Sequence, residues 1–259
     1  MTTVITTAGR PDGKSVLLAE YAQRALGFRI VPRNKKSILR VQQEYNAHVL
    51  VAGKNRFEFF KIGMEKPFFF HPNSAAYRLK RLLKGGIDPL IEACDLQQGD
   101  EFLDCTLGLA SDSIIASYKT GNSGRCIGIE ADPTVAFITK YGLQHYLTES
   151  DALLHSMSSI EVVQNDAIDY LKLQRANSMD VVYIDPMFHA PIEESSNFTP
   201  LRQAGVHSNL TEEWVSEAYR VCRKRVVIKA HYDSIVFQDF GFIREERPNT
   251  KFHFGHLNK

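Results

Sequence analysis

The chain has 259 residues, of which 44% are hydrophobic, so it can bury a substantial core and does not have the composition of a disordered protein. No apolar stretch approaches the roughly 20 residues of a membrane-spanning helix, and the first residues lack the features of a secretory signal. The four cysteines are scattered, which argues against a disulfide framework or a zinc site. We therefore expect a cytoplasmic protein that neither spans a membrane nor holds a metal ion.

The charges are distributed unevenly along the chain, although the formal net charge is only +1. Residues 1–84 carry 16 Lys and Arg against 5 Asp and Glu, whereas residues 85–259 carry 15 against 25. A basic segment of this kind favours an anionic partner such as nucleic acid. An ordinary solvated surface is the alternative.

The first 65 residues alternate short strands and helices. Thr3–Thr7 is rich in β-branched residues and predicts a strand, and the apolar spacing over Ser15–Leu26 predicts a helix. Ser37 is placed to cap a second helix over Ile38–Tyr45, and two further strands flank a Gly-Lys-Asn turn. We predict a small basic α/β module over residues 1–65.

Residues 66–98 are predicted to be a linker followed by a basic helix. The prolines and phenylalanines of KPFFFHP favour a linker that docks through its aromatic rings. The helix over Ser74–Leu83 carries several cations and ends at a Gly-Gly pair. This helix and the basic stretch Arg33–Lys36 are candidates for phosphate contacts.

The turn between the first strand and the first helix is similar to the end of a P-loop. The segment AGRPDGKS contains Gly-Lys-Ser, but Gly9 lies one residue too close to it for the spacing G-x-x-x-x-G-K-[ST]. An Asp-Gly turn that opens the helix is the favoured interpretation.

From residue 99 onward, strands and helices alternate regularly. Five apolar strands, from EFLDCT to RVVIKA, are separated by helices, and the last residues predict an antiparallel hairpin about Pro248. We therefore predict an α/β, Rossmann-like domain over residues 99–259. Its parallel doubly wound sheet is completed to seven strands by the C-terminal hairpin.

The first strand of this domain leads into a turn that contains Asp104, Thr106, Gly108 and Asp112. Ligands of such sheets bind outside the carboxyl ends of the strands, beside the first helix. The turn has a single glycine, so it lacks the G-x-G-x-x-G pattern of a pyrophosphate site, whereas an acid such as Asp104 suits a positively charged ligand. A strand-turn-helix with a capping acid is the alternative.

Acidic residues also follow the next two strands. Glu130 ends RCIGIE at 26 residues after Asp104, near the spacing of a ribose-binding acid, and a carboxylate can accept hydrogen bonds from both ribose hydroxyls. Asp166 follows IEVVQ and is placed to accept a hydrogen bond from an adenine amino group. Either acid is also placed to open a helix, and for Asp166 the two roles are compatible.

The fourth strand, DVVYI, is followed by Asp185, Pro186, Met187 and Phe188. An exocyclic amine conjugated with a base ring is a weak nucleophile. A carboxylate and a proline carbonyl can accept its two N–H groups and aim its lone pair, and an aromatic ring can stack on the base. We therefore predict that Asp185, Pro186 and Phe188 are catalytic, with a tight turn around a buried phenylalanine as the alternative.

Taken in order, DCTLGLASD, GIEADP, DVVYIDPMF, KRVVIKA and KFHFGHL resemble the bacterial small-subunit ribosomal RNA guanine-N2 methyltransferases, whose motif is Asp-Pro-Met followed by Phe or Tyr. The resemblance covers about residues 70–259. It implies a class I methyltransferase fold, S-adenosylmethionine as the cofactor and small-subunit ribosomal RNA as the partner. The cofactor contacts that it implies, together with those of the first turn, are Asp104, Thr106, Gly108, Ser111, Asp112, Glu130, Ala131, Asp166, Ala167 and Asp185.

The leading hypothesis is methyl transfer to the N2 amine of a guanine in ribosomal RNA. Methylation of another RNA base, a small molecule or a protein stays open, as does a non-catalytic nucleotide- or RNA-binding module. The order of the four motifs and the basic first third of the chain favour the RNA methyltransferase.

Overall fold

The computed structural model describes residues 2–186, 210–248 and 250–259, which form two β-sheets with helices packed on them. The first 60 residues build the smaller sheet. Its elements are β1 (Thr2–Thr7), α1 (Gly13–Leu26), β2 (Arg29–Ile30), α2 (Ile38–Tyr45), β3 (Ala47–Ala52) and β4 (Phe57–Phe60). Ser37 caps α2 as predicted, and Asp12 caps α1 by accepting a hydrogen bond from the backbone N–H of Ser15.

The larger sheet follows two short helices, α3 (Asn73–Leu82) and α4 (Pro89–Cys94). Its elements in chain order are β5 (Glu101–Asp104), α5 (Ser111–Thr120), β6 (Arg125–Glu130), α6 (Pro133–His145), α7 (Asp151–Ser158), β7 (Ile160–Gln164), α8 (Ala167–Leu173), β8 (Met179–Ile184), α9 (Glu212–Val221), β9 (Cys222–His231), α10 (Val236–Asp239), β10 (Ile243–Glu245) and β11 (Phe252–Asn258). The helices α4, α7 and α10 were not predicted from the sequence.

The seven strands of the larger sheet are ordered β10-β11-β9-β8-β5-β6-β7. The five strands from β9 to β7 are parallel, and β11 runs antiparallel to both of its neighbours. The predicted seven-stranded sheet with a closing hairpin is therefore confirmed. The chain moves outward from β5 in one direction through β6 and β7, and in the other through β8 and β9. This reversal opens a crevice at the carboxyl ends of β5 and β8, where ligands of such sheets bind.

The smaller sheet has the same kind of reversal. Its order is β2-β1-β3-β4, with the first three strands parallel and β4 antiparallel to β3. The strand that follows β1 in the chain pairs on one side of it, and the next pairs on the other side.

Aromatic rings join the two sheets into one continuous hydrophobic core. The ring of Phe57 in β4 lies 4.9 Å from that of Phe137 and 4.8 Å from that of Tyr141, both in α6. The linker docks on the same helix, because Phe70 lies so close to Gly142 that an added Cβ would come within 2.1 Å of the ring. The boundaries at residues 65 and 98 stay predictions, and the core runs across both of them.

Within the described part of the chain, no helix is long and apolar enough to cross a membrane.

Candidate functional site

The predicted acidic residues meet at one edge of the larger sheet. β8, β5, β6 and β7 are adjacent and parallel, so their carboxyl ends lie side by side. Asp104 ends β5, where it pairs in register with Gly128 of β6 and Tyr183 of β8. Glu130 ends β6, and Asp185 directly follows β8.

Asp104 holds the turn that follows β5. Its side chain is buried, and its two oxygens accept hydrogen bonds from the backbone N–H of Thr106 at 2.9 Å and the hydroxyl of Ser113 at 2.6 Å. Burial raises the pKa of Asp104 to about 7, although both hydrogen bonds act in the opposite direction. Asp104 therefore stabilises the turn from beneath, and its predicted contact with a ligand stays a prediction.

The backbone around Gly108 forms a tight turn whose positive φ angles are unfavourable for most residue types. Gly108 has a φ of 50° and Ala110, just before α5, has a φ of 58°, both in the left-handed region. The N–H of Gly108 donates to Glu130 at 3.2 Å, and its carbonyl accepts from the hydroxyl of Thr139 at 2.6 Å. These bonds fix the turn to the end of β6 and to α6.

Glu130 connects the first turn to the second. One carboxylate oxygen accepts from the N–H of Gly108 and the other from the N–H of Asp132 at 2.9 Å. A carboxylate has about four lone-pair positions, so Glu130 can accept from a ligand hydroxyl as well as from the backbone. Burial raises the pKa of Glu130 to about 7. The carbonyl of half-buried Ala131 accepts from the Gln164 side chain at 3.1 Å, which ties this loop to the end of β7.

Asp166 follows the carboxyl end of β7. It caps α8 by accepting hydrogen bonds from the N–H groups of Ile168 and Asp169, so the predicted capping role is confirmed. Its side chain is exposed, whereas Ala167 is buried. The predicted contacts of both residues with a ligand stay predictions.

Two contacts within the described part of the chain hold Asp185 at the carboxyl end of β8. Its N–H donates to the hydroxyl of Thr106 at 2.8 Å, and its carboxylate accepts from the ammonium group of Lys229 at 2.7 Å. The Thr106 bond crosses the crevice between β5 and β8. Pro186 is buried, and the predicted catalytic Phe188 lies outside the described residues.

A cluster of charged residues supports this edge of the sheet. Asp112, in the first turn of α5, accepts from Arg78 at 2.5 Å, from the Tyr183 hydroxyl at 2.9 Å and from Lys229 at 3.2 Å. Lys229 thus bridges Asp112 and Asp185, while Arg78 also makes two 2.8 Å bonds to Asp88.

Both members of the Asp112–Lys229 pair are held in their charged forms. Burial opposes ionisation of Asp112, but the nearby charges of Lys229 and Arg78 outweigh it and lower the pKa of this carboxyl. Burial likewise opposes the charge on Lys229, but Asp112 and Asp185 raise the pKa of its ammonium group. Asp185 therefore faces a cation at neutral pH.

Sequence reasoning missed Lys229 and did not single out Arg78. A lysine within the apolar strand RVVIKAH is an unusual buried charge, and that signal could have identified Lys229. The helix over Ser74–Leu83 was a candidate for phosphate contacts, but the guanidinium of its Arg78 pairs with Asp88 and Asp112. No local pattern links Arg78 to an acid 34 residues away.

Comparisons with known proteins agree with this architecture. A family model described as "Putative SAM-dependent methyltransferase" matches residues 32–240. The "Uncharacterized protein YpiP" of Bacillus subtilis is 41% identical over 252 residues, which cover 97% of this chain and 98% of that protein. The "Ribosomal RNA small subunit methyltransferase J" of Laribacter hongkongensis is 32% identical over 117 residues, or 44% of this chain and 40% of that protein.

A solved structure shares the fold over nearly the whole chain. The crystal structure of a SAM-dependent methyltransferase from Neisseria gonorrhoeae has a TM-score of 0.61 and 16% identity, and the match covers 99% of this chain and 96% of that one. At this identity, the similarity concerns the fold alone.

Proposed function

The chain belongs to the SAM-dependent methyltransferase family, and within that family we propose that it methylates the N2 amine of a guanine in ribosomal RNA. The predicted class I methyltransferase fold and the S-adenosylmethionine cofactor are confirmed by the family match and the shared fold. When bound, this cofactor supplies an electrophilic methyl group on a positively charged sulfur.

The residues at the strand ends fit such a cofactor. Glu130 can accept from the ribose hydroxyls, and Asp166, which follows the neighbouring strand β7, from the adenine amino group. The turn at Gly108 brings backbone close to the ligand without forming a pyrophosphate cradle. We propose these residues as the cofactor contacts.

The position of Asp185 is the observation that carries the proposal of an amine substrate. Its backbone is bonded to Thr106 of the first turn and its carboxylate to Lys229, so it is oriented from both sides of the crevice. In the proposed reaction, the Asp185 carboxylate and the Pro186 carbonyl accept the N–H groups of the amine and aim its lone pair at the methyl carbon. A nitrogen–carbon bond forms as the sulfur–carbon bond breaks. The proton released by the amine passes to Asp185 or to water.

Three observations support RNA as the class of substrate. Residues 1–84 are strongly basic, the Asp-Pro-Met-Phe motif resembles that of guanine-N2 methyltransferases, and one relative is called a ribosomal RNA methyltransferase. The target base must be unpaired or rotated out of its helix to reach Asp185.

The test compares the ribosomal RNA of cells with and without this protein by mass spectrometry of nucleosides. We expect the loss of one N2-methylguanosine, which returns when the wild-type protein is restored but not with Asp185→Ala, because alanine has no side-chain acceptor for the amine. Asp180→Ala is the matched control, because it makes the same change in β8 at the strand end remote from the crevice. Unchanged ribosomal RNA, or full restoration by Asp185→Ala, would refute the proposal.

A further inference from the structure

The smaller sheet contains a cavity that the methyl-transfer site does not use. It has a volume of about 530 Å³, within the ~300–1,000 Å³ that is usual for small-molecule sites. The segments that follow β1, β2 and β3 contribute Gly9, Arg33 and Lys54 to its lining. It therefore lies at the carboxyl ends of three parallel strands, where their order reverses about β1, which is the usual place for a ligand in such sheets.

The cavity is on the face of the smaller sheet that points away from α6. Side chains alternate along β4, so Phe57 packs against α6 while Glu58 and Phe60 point to the opposite face and line the cavity. Phe60 together with Ile38 of α2 and Val51 of β3 gives the cavity an apolar wall.

The charged lining has an excess of cations. Among the described lining residues, Arg33, Lys54 and Arg56 are accompanied by one carboxylate, that of Glu58. Glu58 is already engaged by Arg56, with bonds of 2.6 and 2.9 Å, and the Arg56 guanidinium lies 4.0 Å from the ring centre of Phe69. Lys54 interacts electrostatically with Asp12, and Arg33 with Glu58, but among the described residues neither cation forms an ion pair with a carboxylate.

Arg33 carries the strongest indication of an anionic ligand. Its guanidinium donates to two backbone carbonyls, of Lys36 at 2.6 Å and of Thr7 at 3.3 Å, and among the described residues no carboxylate forms an ion pair with it. Burial lowers the pKa of this guanidinium, and Glu58 offsets the effect only in part. An anion bound beside Arg33 would stabilise the charged guanidinium against the effect of burial.

We propose that the cavity binds one nucleotide unit, with its phosphate at Arg33 and Lys54 and its ribose or base against the apolar wall. A phosphate accepts the planar donor fork of arginine and the point charge of lysine, and the half-buried Phe60 ring offers a surface for the sugar or base. The nucleotide comes either from an RNA strand or from the free nucleotide pool. The proposal does not depend on which group the enzyme methylates.

The test measures binding of a labelled single-stranded oligoribonucleotide by fluorescence anisotropy, and competition by AMP, ATP and inorganic phosphate. Lys54 is exposed, so Lys54→Gln should fold normally. We expect it to weaken binding of the effective probe about five- to tenfold. If that probe is RNA, the slope of log affinity against log salt should fall by about 0.7, the value for one phosphate contact on a single strand. Arg33→Lys keeps the positive charge but loses the paired N–H donors of the guanidinium, so it should also weaken binding of that probe.

Arg24→Gln is the matched control, because Arg24 is an exposed cation in the last turn of α1, at the opposite end of that helix from the cavity. It should change the affinity less than twofold. Competition by AMP or ATP would support a free nucleotide as the ligand, and binding of RNA alone would support an RNA segment. Binding of no probe, binding untouched by Lys54→Gln, or equal competition by inorganic phosphate and AMP would overturn the proposal.

Binding and methyl transfer, measured on the same variants, separate this proposal from that of the methylated base. Asp185→Ala should abolish methyl transfer and leave binding at the cavity unchanged. Lys54→Gln should leave methyl transfer at saturating RNA unchanged, and raise KM only if the ligand is RNA.

Discussion

Replacing Lys229 by methionine would test whether the charged cluster beneath Asp185 stabilises the fold. The substitution keeps a long unbranched side chain but removes the ammonium group that contacts Asp112 at 3.2 Å and Asp185 at 2.7 Å. Asp112 would keep its bonds to Arg78 and Tyr183. The variant therefore isolates the contribution of one cation between two carboxylates.

The magnitude follows from how far the pair is buried. Removing one partner of a buried ion pair costs about 3–5 kcal/mol. The Lys229 side chain is 26% exposed and Asp112 keeps a second cation, so we expect the free energy of unfolding to fall by about 2–3 kcal/mol at pH 7.

The expected pH dependence follows from the directions of the two pKa shifts. The lowered pKa of Asp112 gives stability that is present above the pKa of the unfolded side chain and is lost as the pH falls toward the folded value. The raised pKa of Lys229 gives stability that is present at neutral pH and is lost only as the pH rises through the folded value. The difference between wild type and Lys229→Met should therefore be largest near neutral pH and shrink below about pH 4.

Urea unfolding followed by circular dichroism at pH 7, 4 and 3 measures this difference. Lys172→Met is the matched control, because Lys172 pairs with Glu213 at 2.6 Å while both side chains are about half exposed. Such pairs contribute about 0–1 kcal/mol. A loss for Lys229→Met no larger than for Lys172→Met, or a loss that is the same at pH 7 and pH 3, would refute the reasoning.

Two further predictions concern the cofactor contact at Glu130 and the docking of the linker. Because the pKa of Glu130 is raised to about 7, its carboxyl is partly protonated at pH 7, and ribose hydroxyls that donate to its charged form should make it release a proton when the cofactor binds. Calorimetry in phosphate and Tris buffers should then give different enthalpies, and equal enthalpies would contradict this role. Gly142→Ala should lower the melting temperature, with a cost of about 1–3 kcal/mol, because its Cβ would overlap the ring of Phe70, whereas Gly13→Ala, with no atom near the added Cβ, should be neutral or slightly stabilising. Equal melting temperatures for the two variants would show that Phe70 moves aside freely.

The sequence predicted the edge of the sheet on which the site is built because that edge depends on local patterns. Apolar strands alternating with helices require a parallel sheet, and residues that follow such strands share one edge. Asp104, Glu130 and Asp185 each come directly at or after a strand, so their approach followed from the order of the elements. The hydrogen-bond partners of each carboxylate could not be predicted in this way. Asp104, for example, bonds to Thr106 and Ser113 inside the turn.

The supporting cluster was not predictable because its members come from distant parts of the chain. Arg78 lies in α3, Asp112 in α5 and Lys229 in β9, and only the packed sheet brings them together. From composition alone, Arg78 cannot be distinguished from the cations of the surface. Its two bonds to Asp88 and its bond to Asp112 show that it is an internal residue of the larger unit.

The uneven charge of the chain therefore has two separate consequences. Some cations of the first third pair with acids of the remainder, as Arg78 does with Asp112 and Lys61 does with Asp132 at 3.3 Å, and these pairs join the basic part to the acidic part. Arg33 and Lys54 lie instead at a cavity on the face away from α6, where Glu58 is the one acid among the described lining residues. An anionic ligand is thus expected at that face rather than along the whole basic segment, and the charge of Lys54 should matter for binding where the charge of Arg24 does not.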